Sequence, residues 1–246
     1  MANFAPLKNY IFKNIQRVIA KHEMKSPFID VGGGTGDVSE FMAKQGFHGK
    51  YIDFSKDSFA IASLRLKDHK VETKHMNFLD EKSKYNLLLC LDVLEHIEDD
   101  VKFIRKFRSI LYANGYIILI VPINKKEWRW DDEYYGHYRR YDPENLKNLF
   151  RENRFEFIES RGVTFPVFWA LRRMYTRMKS KPDIFSEKED VTKKSARRNA
   201  WDFGFLSKFL SINFFWYPIF LIQDIFNKTS FGHELLFVFK KRSVNE

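Results

Sequence analysis

The sequence predicts an α/β fold built on a mainly parallel sheet. Apolar runs of strand length alternate with amphipathic stretches of helical period along the first two thirds of the chain. A glycine-rich turn, "GGGTG", sits where the first such strand passes into the next helix. The length, 246 residues, suits one sizeable α/β domain with chain to spare for an insertion, and is short for two full domains.

The elements follow in order. "MANFAPLKNYIFKNIQRVIAKH" scatters its charges through apolar spacing, which reads as an amphipathic helix and lacks the unbroken core of a signal peptide. Strands are expected at 27–31, 50–53, 71–75, 86–91 and 115–121, with helices at 36–46, 57–67 and 97–112. This is βαβ order, hence parallel strands. A helix over 143–153, with Asp142 as its cap and Pro143 in its first turn, and a strand over 154–163 continue the pattern. "HELLFVFKKR" closes the chain as a β-rich run.

Residues 164–231 exceed what a bare fold of this kind needs and read as a helical, aromatic cap inserted into a single domain spanning 1–246. Within them, "KSKPDIFSEKEDVTKKSARRNA" reads as a solvated charged segment. "FLSINFFWYPIFLIQDIF", residues 209–226, is interrupted by Asn213, Pro218, Gln223 and Asp224, so it is a poor membrane span. Its expected place is a packed hydrophobic cap. With Lys208 and Lys228 beside it, the same pattern suits contact with lipid or with an apolar substrate tail, or a homodimer interface.

Composition narrows the setting. A lone cysteine, Cys90 in an apolar run, excludes a disulfide framework and a thiolate metal cluster and points to a reducing, cytoplasmic compartment, with membrane association as an addition. A formal net charge of +10 favours an anionic partner, which RNA, a phospholipid surface or a phosphorylated substrate would all satisfy.

The chemistry starts at "FIDVGGGTGDVS". A P-loop needs a lysine after its last glycine, and Asp37 and Val38 stand there instead. The dinucleotide fingerprint wants glycines at its first, third and sixth positions, whereas Gly32, Gly34 and Gly36 occupy the first, third and fifth. What remains is a bare loop whose backbone N–H groups can approach a ligand closely, preceded by Asp30, which can accept from a cationic one. A sulfonium amino acid fits. Asp53 ends the second strand about 20 residues further on, the separation at which an acid reaches ribose hydroxyls.

This loop resembles the first motif of class I S-adenosylmethionine-dependent methyltransferases. "LDVLEHIED", "ILIVPIN" and "GHYRRYDPENLKNLF" resemble the branch that contains the ubiquinone-biosynthesis O-methyltransferases, also called type 11, and the likeness covers roughly residues 26–160 and the final strand. It implies a Rossmann-like methyltransferase fold, a mainly parallel seven-stranded sheet whose last strand is antiparallel, with a helical cap insertion. It also implies S-adenosylmethionine as cofactor, S-adenosylhomocysteine as product, and a cofactor set of Asp30, Gly32, Gly34, Gly36, Asp53, Phe54, Leu79, Asp80 and Leu91. In that set Asp80 meets the adenine amine and Leu79 flanks the ring. Where relatives carry Phe-Asp before the fourth strand, this chain has Tyr85-Asn86, an exchange expected to touch folding more than cofactor.

His96, at the end of the fourth strand, is the neutral-pH base nearest in sequence to the methyl group, and His137 in "YYGHYRRY" is its expected partner, so both are candidate catalytic residues. Asp92, Glu95 and His96 fall at i, i+3 and i+4 and would share one face of a helical turn, a plausible site for a hard metal, and the resemblance implies His137 as the histidine that completes it. The related enzymes, including RNA 2′-O-methyltransferases that modify small-RNA 3′ ends, carry a longer glutamate where Asp92 stands. The metal-free arrangement is therefore the expectation. On the loop after the fifth strand, Tyr134, Tyr135 and Tyr138 are expected to stack on an acceptor ring, with Arg139 and Arg140 holding a carboxylate or phosphate. The expected acceptor is a small or lipid-linked metabolite, methylated on oxygen or nitrogen. RNA ranks behind it because the basic residues are dispersed, and an inactive cofactor-binding partner subunit ranks behind both because the glycine loop and Asp53 are intact.

Overall fold

A computed structural model of the chain describes residues 6–179 and 213–243. Over these residues, numbered in chain order, the helices are α1 (Pro6–Lys21), α2 (Asp37–Lys44), α3 (Lys56–Leu66), α4 (Asp100–Ile110), α5 (Trp130–Tyr135), α6 (Pro143–Glu152), α7 (Val167–Met178) and α8 (Asn213–Phe226). The strands are β1 (Phe28–Val31), β2 (Gly49–Asp53), β3 (Val71–His75), β4 (Tyr85–Leu91), β5 (Leu111–Pro122), β6 (Phe155–Gly162) and β7 (Glu234–Lys241). They form one seven-stranded sheet in the order β3-β2-β1-β4-β5-β7-β6, in which β7 alone runs antiparallel to its neighbours. The order reverses between β1 and β4. In open sheets of this kind the crevice outside the carboxyl ends at such a switch point is where ligands bind.

The sheet is covered on both faces, so its central strands β1 and β4 are apolar apart from Asp30 in β1 and Asn86 in β4. In β5, Ile117, Leu119 and Val121 join the core shared with Phe103 and Phe107 of α4, while Ile118 and Ile120 join the core shared with Tyr10 of α1 and Met42 of α2. Fully burying each such side chain contributes on the order of 1.5–3 kcal/mol. Cys90 is buried in the first of these cores, as an apolar strand residue should be. Asn86 donates to the Ser26 carbonyl at 2.6 Å, which ties β4 to the residues leading into β1, a folding contact.

Caps fix where the helices start. Asp99 accepts from the Lys102 N–H at 2.9 Å, which begins α4 at Asp100, and not at 97 as the apolar spacing suggests. Asp142 accepts from the N–H groups of Glu144 and Asn145, and Pro143 follows it. Residues 130–135, expected as loop, form α5. Asp132 accepts from the Arg129 N–H at 2.8 Å at its start, and Gly136, at φ 75°, ends it.

Of the expected cap insertion, α7 and α8 lie within the described residues and pack against α1. The Tyr10 ring sits 5.3 Å from Phe220 and 6.4 Å from Phe168, and Arg17 holds Asp224 with two hydrogen bonds of 2.7 and 2.9 Å. All but the first residue of the charged segment, Lys208, and positions 209–212 of the apolar run lie outside the described residues. Among the described residues no helix is long and apolar enough to cross a membrane.

Candidate active site

At the ends of β1 and β2 the chain builds a loop out of backbone. Gly32, Gly34 and Gly36 all take positive φ (65°, 54° and 78°), a region that side chains disfavour. A Cβ on Gly33 would lie 2.6 Å from the Tyr51 ring, so the loop is pressed against β2. Gly34, by contrast, faces open space. Its N–H donates to Asp53 Oδ2 at 2.9 Å, its carbonyl accepts from the Tyr51 hydroxyl at 2.7 Å, and Asp53 Oδ1 accepts from the Ser55 N–H at 2.8 Å. Asp53 thus joins the loop to the start of α3. Asp30 is buried, accepts from Ser39 Oγ at 2.7 Å, and is pushed up by burial to a pKa of about 7. Phe54 follows Asp53 and is 80% exposed, an uncommon state for a phenylalanine. Leu79 is half-buried and Asp80 exposed in the 3-10 turn after β3, and Leu91 is half-buried at the end of β4.

The second cluster sits at the ends of β4 and β5, and it touches the first: a Cβ on Gly32 would lie 2.8 Å from Val93. After β4, residues Leu94–His96 make a 3-10 turn that Tyr141 secures, its hydroxyl donating to the Leu94 carbonyl at 3.2 Å. Glu95 accepts from the Tyr138 N–H at 2.9 Å through its own carbonyl, which lays the chain at 136–138 over the turn. The His96 and His137 rings meet edge to face at 4.7 Å, and His137 Nε2 is 4.0 Å from Glu95 Oε1. Glu95 is buried and its Oε2 has no hydrogen-bond partner. Burial and the charge of Asp92 push its carboxyl well up, while burial and His137 lower the His96 imidazole to about 4, so His96 is neutral at pH 7.

Behind His137 lies a polar network that no local motif announces. His137 Nδ1 is 2.9 Å from Asp132 Oδ1, and Asp132 also accepts from Arg140 at 2.7 Å and from Arg172 of α7 at 2.9 Å. Burial alone would raise the Asp132 carboxyl. The hydrogen bonds from His137 and Arg140, with the charges of Arg140 and Arg172, outweigh it and hold the group well below the usual range.

Several expectations change. Arg140 is buried and spends its guanidinium on Asp132 and on the carbonyls of Ile123 and His233, so it is not a ligand for an acceptor. Arg139 donates to Asp100 and to the Glu98 carbonyl, bracing the start of α4. Tyr135 is buried and Tyr134 half-buried, with rings packed against each other at 5.2 Å; of the three tyrosines only Tyr138 presents an exposed ring. Asp92 does not join the metal-capable group, because the chain is not helical at 92–93 and the i, i+3 geometry never forms. Glu95, His96 and His137 do come together, their ligand atoms all within 4.8 Å of one another. That donor set, with one orphaned buried carboxylate oxygen, fits a divalent cation.

The switch-point crevice, the positive-φ glycine loop and the acid ending β2 are the features of the class I S-adenosylmethionine-dependent methyltransferase fold. The family description "Methyltransferase domain" matches residues 4–160, and the chain belongs to that family. It is similar to the ubiquinone biosynthesis O-methyltransferase of Pelagibacter ubique, 31% identical over 135 residues that cover 50% of this chain and 55% of the relative. The enzyme of the same name from Rickettsia akari is 28% identical over 120 residues, 47% of each chain. The chain spans about half the length of the curated relatives it matches. Among solved structures, the N-methyltransferase NodS of Bradyrhizobium japonicum, in complex with S-adenosyl-L-homocysteine, superposes with a TM-score of 0.58 at 12% identity, covering 97% of this chain and 89% of that one. The cyclase SpnF does so with a TM-score of 0.59 at 14% identity, covering 94% and 81%. One fold thus carries more than one reaction, and the reaction has to be argued from the site.

Proposed function

We propose that the protein transfers the methyl group of S-adenosylmethionine to an oxygen or nitrogen of a small or lipid-linked metabolite seated beside His96 and His137. The observation that supports this most is the close approach of Gly32 to Val93, the residue that leads into the turn carrying His96. S-adenosylmethionine, when bound, supplies a methyl group that is already activated. The chain's own task is then to orient the acceptor and take its proton. The open space over Gly34 admits the cofactor, Asp53 offers it a carboxylate, and Phe54 offers a ring face. His137 Nε2, beside Glu95, takes the acceptor proton. His96, neutral and lowered to about 4, is a weak base near pH 7 and acts by shaping the pocket.

Glu95 Oε2 favours a second form of the same reaction. Glu95, His96 and His137 would hold a divalent ion, which would lower the pKa of a coordinated acceptor hydroxyl. Following labelled methyl transfer with and without EDTA separates the two. Unchanged turnover supports His137 as base; loss that Mg²⁺ or Mn²⁺ restores supports the metal-assisted form and brings an RNA 2′-hydroxyl forward as acceptor.

The lipid-linked acceptor draws support from α8. Tyr217, Leu221 and Ile225, at i, i+4 and i+8, are exposed, with Ile222 exposed beside them and Lys228 exposed after the helix. Flotation with anionic vesicles tests this. A protein that stays in the soluble fraction at low salt points to a small soluble acceptor and to packing or dimer contact for that stripe.

A further inference from the structure

The Asp132 carboxylate receives four donors, and an ionised carboxylate has about four places to receive them. Oδ1 faces His137 Nδ1 at 2.9 Å and Arg140 Nη2 at 2.7 Å; Oδ2 accepts from Arg172 Nη2 at 2.9 Å and from the Arg129 N–H at 2.8 Å. Only 1% of the residue is exposed, so water does not compete. Arg172 is held in turn by two bonds to Asp131, of 2.9 and 2.6 Å, and donates to the Glu127 carbonyl at 3.1 Å. Both arginines and the peptide N–H are donors without acceptor capacity at these atoms. The carboxylate therefore has no proton to give, and the hydrogen between it and His137 belongs to Nδ1.

We infer that Asp132 is the positioning residue for His137, fixing the tautomer that carries its proton on Nδ1, and that Arg172 ties this setting to helix α7. The consequence for the proposed reaction, on which the functional meaning of this inference rests, is that Nε2 keeps its lone pair for the acceptor proton or for an ion. That nitrogen points into the cluster, 4.0 Å from Glu95 Oε1. Because Arg172 comes from α7, 40 residues along the chain from Asp132, the base is set by the cap as well as by the sheet. A base held by two separate segments, residues 129–140 and α7, does not reorient when an acceptor enters, which is what general-base geometry requires.

The test is a long-range proton–nitrogen correlation spectrum of the full-length protein with labelled histidine, recorded near pH 8, with His137 assigned from His137→Gln. In the wild type, His137 is expected to show a protonated, pyrrole-type Nδ1 and an unprotonated, pyridine-type Nε2. Asp132→Asn places an amide N–H among the donors and is expected to move the proton to Nε2. Arg172→Met is expected to give a mixture of the two tautomers. Calorimetry with S-adenosylhomocysteine should show unchanged affinity in both variants, which separates loss of positioning from loss of fold. A wild-type spectrum with the proton on Nε2 overturns the inference and needs no variant to fold. An unchanged tautomer in folded Asp132→Asn also overturns it, and an unchanged spectrum in folded Arg172→Met removes the link to α7. None of these readouts uses turnover, so an Nδ1-protonated His137 in a protein that transfers no methyl group would leave the positioning intact and sink the proposed reaction alone.

Discussion

The two ends of the crevice are built by opposite means. At β1 and β2 the site is mostly backbone: a loop of positive-φ glycines bare of side chains, whose N–H groups bond to the Ile52 and Gly33 carbonyls and to Asp53, which also accepts from Ser55. At β4 and β5 it is side chain throughout, with Glu95, His96, Asp132, His137 and Arg172 gathered from three segments and largely withdrawn from water. A backbone cradle suits a ligand that never changes. A buried network of charges suits the step at which a proton moves, since groups in a dry site interact strongly and hold their directions. If this division holds, damage to one end should leave the other measurably intact.

The largest effect is expected at the histidine. His137→Ala should lower methyl transfer into a metabolite and lipid extract by about 10²–10⁴-fold, the usual share of general acid–base catalysis. Its affinity for S-adenosylhomocysteine by calorimetry should stay at the wild-type value. A matching loss of affinity would mean that the two ends are one site.

Asp53→Ala should do the reverse. Losing charge-assisted contacts costs roughly 1.5–3 kcal/mol, or about one to two orders of magnitude in cofactor affinity, and calorimetry reads it directly. The histidine tautomer described above should not move. An unchanged dissociation constant in a folded variant would show that the acid ending β2 serves the loop and not the ligand.

A smaller and more graded effect comes from Asp30. Burial holds its carboxyl at about 7, above the ordinary aspartate value, so part of the population is protonated at neutral pH. A cationic ligand favours the ionised form, and binding therefore releases a proton below pH 7. Affinity for S-adenosylmethionine should rise as pH climbs through 7 and level off above it, by about a few-fold between pH 6 and 8. Asp30→Asn should flatten the curve. A flat wild-type curve would place Asp30 out of reach of the cofactor's charge.

The same division explains what the sequence made legible. The sheet, its parallel core and the cofactor loop are written locally: an apolar run, three glycines at spacing two, and an acid at the next strand end. Residues 130–135 were obscured because their helix is set by one acid, Asp132, accepting from the Arg129 N–H, and by Gly136 at its end, both common residues. Arg140 reads as a free cation in "HYRRY" because sequence does not show that Asp132 stands behind it. Asp131, Asp132 and Arg172 are hidden in the sequence for the same reason. Arg172 lies about 40 residues from its partners, and no periodic pattern marks a buried ion pair between distant segments. Asp92 misled in the other direction, since i, i+3, i+4 spacing means one face only where the chain is helical.

The central claim is that a cofactor crevice and a proton-taking cluster meet in one transferase. Incubating the protein with S-adenosylmethionine labelled in its methyl group, together with a metabolite and lipid extract, tests it most directly. Label should pass into an extractable product in the wild type, and fall away in Asp53→Ala through lost affinity and in His137→Ala with affinity intact. A wild type that binds the cofactor tightly and passes no label to any fraction of lipid, metabolite or RNA would contradict the account.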